Sequence, residues 1–317
     1  MALILALALT SLCVGTPMLS PVEALTLLVT PDGTQTAIVV QTLRLPRAIL
    51  AIAVGAALAV AGVVMQALTR NPLADPGILG VNAGASFAVV FAFVVLGVQS
   101  FGQTLWFAFA GAAAASVIVA LLGGLGTSTS IARLALAGVA VGAVLSGITQ
   151  ALSLLDPADY SRIRAWEAGS LAARDVPSAL IALAAITLGL AIALGSGRGL
   201  NLLVLGEDAA HTLGTRVSRV RGFAFVAIVL LCGAATAAVG PVAFVGLLVP
   251  HALRRFTGAD RPRALLYSLV GGPVLILASD LIARLAIAPR ELPLGVVTAF
   301  LGAPVLVALV QARRRIR

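Results

Sequence analysis

The chain contains no lysine: all 21 of its basic side chains other than histidine are arginines. A P-loop needs a lysine to reach the nucleotide phosphates, so this polypeptide does not carry one. Cysteine is nearly absent as well. Cys13 and Cys232 lie far apart, each inside an apolar run, and read as small buried hydrophobes, not as a disulfide or metal pair. His211 and His251 stand singly, with no HExxH and no nearby cysteine, so no zinc site is expected. A GxSxG nucleophile elbow is missing too. Aromatic residues make up only 5% of the chain and do not interleave with basic ones, which argues against a nucleic-acid partner.

What remains is hydrocarbon. Of 317 residues, 60% are apolar and 10% charged, with a mean hydropathy of +1.10. Several runs of roughly 18 to 22 residues carry no charge, and about 20 residues cross a bilayer core as a helix. Continuous runs are unlike the alternating strands of a barrel. The expectation is therefore an all-α polytopic membrane protein of about ten transmembrane helices: 2–20, 46–68, 78–98, 104–125, 132–152, 178–196, 222–239, 241–256, 264–283 and 294–311. Ten such spans leave no room for a soluble domain, so residues 1–317 read as a single transmembrane domain. The first run lacks a basic n-region and a small-residue cleavage pattern and is kept as a span.

Arginine placement orients the chain. With a cytoplasmic N-terminus, fourteen arginines fall inside: Arg70, Arg133, Arg198, Arg216, Arg219, Arg221, Arg254, Arg255, Arg261, Arg263, Arg313, Arg314, Arg315 and Arg317. Seven fall outside: Arg44, Arg47, Arg162, Arg164, Arg174, Arg284 and Arg290. This is a positive-inside bias with both termini cytoplasmic, and the net charge of +9 fits anionic membrane lipid. The seven outer arginines need a reason.

Four segments stand out. Arg44-Leu-Pro-Arg47 places two arginines three apart at an outer helix mouth, either snorkelling to lipid phosphate or docking carboxylates. Residues 70–85 hold two prolines and three glycines across a span junction. Irregular backbone at membrane depth must be buried in protein or line water, so this is a candidate gate or pathway element. Asp280 and Arg284 are spaced to pair along one helix face. Residues 197–221 make a long inside connection, where Glu207 and Asp208 suit a helix start, Gly214 its stop, and Leu202, Leu203, Leu205, Ala210 and Leu213 an apolar side. Such a helix lies in headgroups or docks into a partner's groove. Tyr160 and Trp166, in the outer connection, read as membrane-interface anchors. The pairs Gly80/Gly84 and Gly138/Gly142 have the spacing of close helix contacts; bundle packing is favoured for them over a direct role in transport.

Together these segments resemble the permease subunits of bacterial ATP-binding-cassette importers for iron-siderophores, haem and cobalamin. The resemblance runs through Arg44-Leu-Pro-Arg47, Asn71-Pro-Leu-Ala-Asp-Pro, Leu79-Gly-Val-Asn-Ala-Gly84, Trp166 with Gly169-Ser-Leu, Gly240-Pro-Val-Ala-Phe-Val-Gly-Leu-Leu-Val-Pro-His251, Asp280 with Arg284, and Glu291-Leu-Pro-Leu-Gly. It implies a permease in the bacterial plasma (inner) membrane, paired with a second permease subunit as a homodimer or heterodimer, with two cytoplasmic ATPase subunits and an extracytoplasmic solute-binding protein. ATP and magnesium would reside on the partner ATPase, leaving this chain without catalytic residues, bound cofactor or metal. The cargo implied is a ferric siderophore, with cobalamin and haem as alternatives. Arg44, Arg47 and Arg284 match the family's binding-protein dock. Asn71, Pro72 and Leu73 match its gate loop, whose second half falls at Thr129 and Ser130 with a small shift. Leu205, Gly206, Glu207, Asp208, Ala210, Leu213 and Gly214 match its ATPase-coupling helices. The rival from another class is an ion-coupled secondary transporter, which usually places ionisable groups or broken helices at the midplane.

Overall fold

The structure, a computed structural model, describes residues 1–30, 32–98, 100–124, 131–155, 157–172, 176–288 and 290–314. Among the described residues all regular structure is helical. The order is α1 (Ala2–Cys13), α2 (Pro21–Val29), α3 (Gln35–Val39), a π turn (Val40–Arg44), α4 (Leu45–Leu68), a 3-10 turn (Pro76–Leu79), α5 (Val81–Val94), α6 (Phe101–Gly123), α7 (Ile131–Ser153) and α8 (Pro157–Glu167). There follow α9 (Val176–Gly195), α10 (Gly197–Val204), α11 (Glu207–Thr212), α12 (Val217–Val239), α13 (Val245–Thr257), α14 (Arg261–Leu285) and α15 (Leu294–Arg314).

The chain is an all-α polytopic membrane protein, but the helices are less uniform than ten equal spans. Among the described residues six are long and apolar enough to cross a bilayer: Gln35–Leu68, Gly102–Gly123, Ala132–Ser153, Val176–Gly195, Val217–Val239 and Arg261–Leu285. Ala2–Cys13 and Val81–Val94 are apolar but shorter, while α15 runs 21 residues with an apolar stretch at Leu294–Val307. At 1.5 Å per residue the 14 residues of α5 rise only about 21 Å. Glycine and proline account for the shortfall. Asp75 caps the 3-10 turn, Gly80 closes it at φ 74°, and only then does α5 begin. In the eighth expected span, Gly240 (φ 81°) ends α12 and the chain turns at Phe244 (φ 69°) before α13 starts. The stretch 21–44, read as a connection, instead holds two helices. Its signal was a Ser20-x-x-Glu23 capping box, in which Glu23 N–H donates to Ser20 Oγ at 3.2 Å and Ser20 N–H to Glu23 Oε2 at 2.9 Å.

The bundle is built around α4. In the Gln35–Leu68 helix 83% of an 18-residue apolar stretch is buried inside the protein, against 17% of the corresponding stretch of α7, so one is the core and the other a periphery. What lets neighbours reach α4 is the absence of side chains at chosen places. A Cβ on Gly55 would sit 2.5 Å from the Gly272 carbonyl oxygen of α14, and one on Gly62 would collide with the backbone of Gly246 in α13. Gly84 of α5 meets Gly111 of α6 in the same way. In lipid no hydrophobic force drives helices together, so close backbone approach carries the association. The two glycine pairs noted in the sequence divide accordingly. Gly84 and Gly138 are packing glycines, the latter pressed on the Ile78 carbonyl, whereas Gly142 faces open space.

Gly62→Val should therefore cost about 1–3 kcal/mol through overpacking, read as a lowered unfolding midpoint in detergent. Gly142→Ala, with nothing within 4 Å of the added carbon, should leave that midpoint unchanged.

Candidate functional site

Three arginines singled out in the sequence converge where α1 ends, α4 begins and α14 ends. Pro46 has no N–H to continue the helical ladder and its ring crowds the carbonyl four residues back. The helix widens there, with Leu45 N–H donating to the Val40 carbonyl. Arg44 consequently turns inward and is 5% exposed. Its guanidinium donates to the carbonyls of Leu12 (2.8 Å), Cys13 (3.2 Å) and Pro17 (2.6 Å). Arg284, 7% exposed, donates to Ser11 O at 2.9 Å, Ser11 Oγ at 2.8 Å and Val14 O at 3.2 Å. The last carbonyls of a helix lack intrahelical partners and carry its negative end; here two guanidiniums satisfy those of α1.

Arg47 points elsewhere, so the two arginines of Arg44-Leu-Pro-Arg47 do not share a face as the spacing of three suggested. Its Nη2 lies 2.8 Å from Asp280 Oδ1 and 2.8 Å from Glu291 Oε2, its Nη1 3.1 Å from Glu291 Oε1. Asp280, 1% exposed, also pairs with Arg284 one helical turn on, as its spacing predicts. The result is a chain of alternating charge, Glu291–Arg47–Asp280–Arg284, ending on the carbonyls of α1. Only Glu291 opens appreciably outward, with its side chain 41% exposed.

A second locus forms at the broken segments. Pro76 at the start of the 3-10 turn lies against Gly246 of α13, so the connection after α4 meets the first turn of α13 inside the bundle. Beside them is a cavity of about 500 Å³, lined by Gly77, Gly80, Asn82, Ser86, Gly142 and Gln150 and reached by Glu167 and Pro241. Asn82 Oδ1 accepts from Thr236 Oγ1 at 3.0 Å, which orients its amide. Burial pushes the Asp75 carboxyl above the usual carboxylate range, while the Gly77 N–H it accepts at 2.8 Å opposes the rise. Enclosure also raises the Glu167 carboxyl, and Arg164 nearby pulls it back. The gate triplet lies in the same connection but does not line the cavity. Asn71, Pro72 and Leu73 are half-buried, and the Asn71 Oδ1 accepts the Leu73 N–H at 3.0 Å. Thr129 and Ser130 lie outside the described residues.

The third locus is the connection between α9 and α12. Where one short helix was expected there are two, α10 and α11, hinged at Gly206, whose φ of 121° favours glycine. Glu207 opens α11 as expected. Gly214 (φ 77°) ends it, its N–H donating to His211 O at 2.9 Å and the Thr215 N–H to Ala210 O at 2.9 Å, the double bond of a Schellman stop. The expected apolar side splits. Leu203 and Ala210 are buried on Val217, with Leu68 and Leu202 alongside, whereas Leu205 and Leu213 are 67% and 59% exposed.

Residues 3–312 match the FecCD transport family. The chain belongs to that family. It is 49% identical over 273 residues to the ferric enterobactin transport system permease protein FepD of Escherichia coli K12, covering 86% of this chain and 81% of that protein. It is 38% identical over 307 residues to the Fe(3+)-citrate import system permease protein YfmD of Bacillus subtilis 168, covering 97% and 91%. Among solved structures it is similar to an inward-facing metal-chelate type ABC transporter, with a TM-score of 0.86 and 28% identity over 98% of this chain and 97% of that one. As a FecCD permease it is a transport subunit, and among the described residues no group of three His, Cys, Asp or Glu could hold a metal ion.

Two features of this FecCD permease escaped the sequence reading. Trp166 is not an interface anchor: it is 6% exposed in the core. The segment it begins is stitched inward by Ser170 N–H to Val239 O at 2.7 Å and Leu294 N–H to Gly169 O at 3.0 Å. The part of the cavity lining that α7 supplies was also missed, although Gly138, Gly142, Ser146, Thr149 and Gln150 recur on one face of that helix. A stripe of small and polar residues at helical spacing was its signal.

Asp280→Asn should strand two buried guanidiniums and cost about 3–5 kcal/mol. The readout is a lower unfolding midpoint together with proteolysis near α1. Glu291→Gln, at the open end, should cost less than about 1 kcal/mol.

Proposed function

We propose that this chain is the permease subunit of an ATP-binding-cassette importer that carries a ferric siderophore inward across the bacterial plasma membrane. The observation that carries the reading is the cavity between two broken segments and α7, set in a bundle whose full-length relatives are named as permeases for iron chelates. The chain is not itself the ATPase. Hydrolysis belongs to two separate cytoplasmic subunits, and selectivity to an extracytoplasmic binding protein.

On this reading residues 1–317 act as one transmembrane domain. The ten expected spans comprise the six long helices, the two shorter apolar ones, α13 and α15, with both termini cytoplasmic. Two subunits pair, and the exposed face of α7, with Leu136, Val139 and Val144 each more than half exposed, contributes to the seam along which the chelate passes. Small and uncharged polar groups suit a bulky complex that must leave as readily as it enters. Asn71, Pro72 and Leu73, with Thr129 and Ser130, form the inner gate. The binding protein meets the end where Arg44, Arg47 and Arg284 converge, and Arg47 with Glu291 is its accessible part. Leu205 and Leu213 enter a cleft of the ATPase, while Ala210 ties their helix to the bundle. Nucleotide-driven motion there biases the permease between two facings through differential contacts.

Vesicles holding the permease, its ATPase and its binding protein should accumulate the ferric siderophore only with ATP; uptake driven by a proton gradient alone would overturn the reading in favour of a secondary transporter. Leu205→Asp with Leu213→Asp, both at exposed positions, should leave the permease folded and weaken ATPase binding by about 2 kcal/mol or more, as for buried interface anchors, measured by pull-down.

A further inference from the structure

At the opposite end of the bundle from the charge chain lies a second cavity, of about 540 Å³, bounded by the end of α9, the start of α10 and the first turns of α12. We propose that it is a binding site for an anionic phospholipid, whose phosphodiester headgroup meets Arg216 and Arg219 and whose acyl chain lies along Ile192, Val220 and Phe223.

Charge argues first. Arg216 and Arg219 are one helical turn apart, both line the cavity, and both are exposed. Neither forms an ion pair with an acid among the described residues. The α12 N-terminus adds to this field, because Arg216 caps it without any side-chain hydrogen bond, leaving the positive end of a 23-residue helix open. The negative end of α9 lies at the same corner, and the two guanidiniums outweigh its partial charge.

Shape argues second. The basic floor is continuous with an apolar wall: Ile192 lies in the last turns of α9, Val220 and Phe223 in the first turns of α12, and Phe223 is 56% exposed. Both helices are membrane spans, so the wall rises toward hydrocarbon while the arginines stay at its edge. Two of its lining glycines face open space, with nothing within 4 Å of a Cβ built on Gly195 or Gly214. A free phosphate would use the floor and leave the wall bare; a phospholipid uses both. The end of the molecule is the right one for such a lipid. Arg198 opens α10 here, and Arg261 N–H donates to Asn201 Oδ1 at 3.2 Å, bringing the start of α14 to the same level. Basic pockets between spans on the arginine-rich side are where anionic headgroups bind.

The site has a mechanical consequence. Gly214 is both the stop of α11 and part of the cavity rim, so a bound lipid would brace the hinge between α11 and α12. The inference does not require the transport reading, and its test reads lipid, not uptake.

The full-length permease is exchanged into mild detergent with phosphatidylglycerol or phosphatidylcholine, and retained lipid is counted by native mass spectrometry. Phosphatidylglycerol should be retained in preference, and Arg216→Ala with Arg219→Ala should reduce its retention about tenfold or more, given the usual contribution of each arginine near an anionic surface. Arg216→Lys with Arg219→Lys should keep most of it, which separates lost charge from lost fold. Arg254→Ala with Arg255→Ala, removing equal charge outside the groove, should change little. Equal loss in that control pair would overturn the site, as would displacement of the lipid by inorganic phosphate. Loss of the ATPase from the arginine-to-alanine pair with lipid retention unchanged would assign the groove to the partner protein instead.

Discussion

Everything in this bundle depends on how closely helix backbones approach one another around α4. Lipid tails are as apolar as leucine side chains, so burying a leucine against another helix gains little over leaving it in the membrane. Contact energy must come from dense packing, and the densest packing is available where a side chain is missing. Gly55 against Gly272 and Gly62 against Gly246 let α14 and α13 lie on α4 at backbone distance. The charge chain joins α4 to α14 at one end, and the broken segments meet beside the Gly62 contact.

The charge chain and the packing support each other. Arg47, Asp280 and Arg284 are tolerable at low exposure because each ion finds an opposite partner and the Arg284 Nη groups also reach carbonyls, with its Nε left unpaired. Those carbonyls belong to α1, a helix of 12 residues. Its last turn is held by guanidiniums arriving from the π turn before α4 and from α14. Arg44, Arg47 and Arg284 thus have a structural role in the chain itself, whatever they do with a partner.

Space inside this FecCD permease opens where helices stop. A continuous span offers lipid-facing side chains and satisfied backbone; an interrupted one offers turns, caps and space. The 3-10 turn after α4 and the turn before α13 border the cavity beneath α7. The hinge at Gly206 splits what would have been one amphipathic helix, so that one apolar group anchors it and another is presented outward. All three interruptions hold glycine or proline.

The class of protein, the identity of the broken connection at 70–85, the pairing of Asp280 with Arg284 and the helix stop at Gly214 were all legible in the amino-acid order. They rest on hydropathy, on residues with few allowed conformations and on spacings within one helix. Span lengths, the burial of Trp166, the divergence of Arg44 from Arg47 and the division between Gly138 and Gly142 were not. Each depends on what stands opposite: the carbonyls of α1 for Arg44, Ile78 for Gly138, open space for Gly142. Local sequence determines where a helix can exist and end, because backbone sterics and desolvation act over a few residues. Which face of that helix is buried, paired or left open was decided only by the neighbours that the folded chain brings to it from far along the sequence.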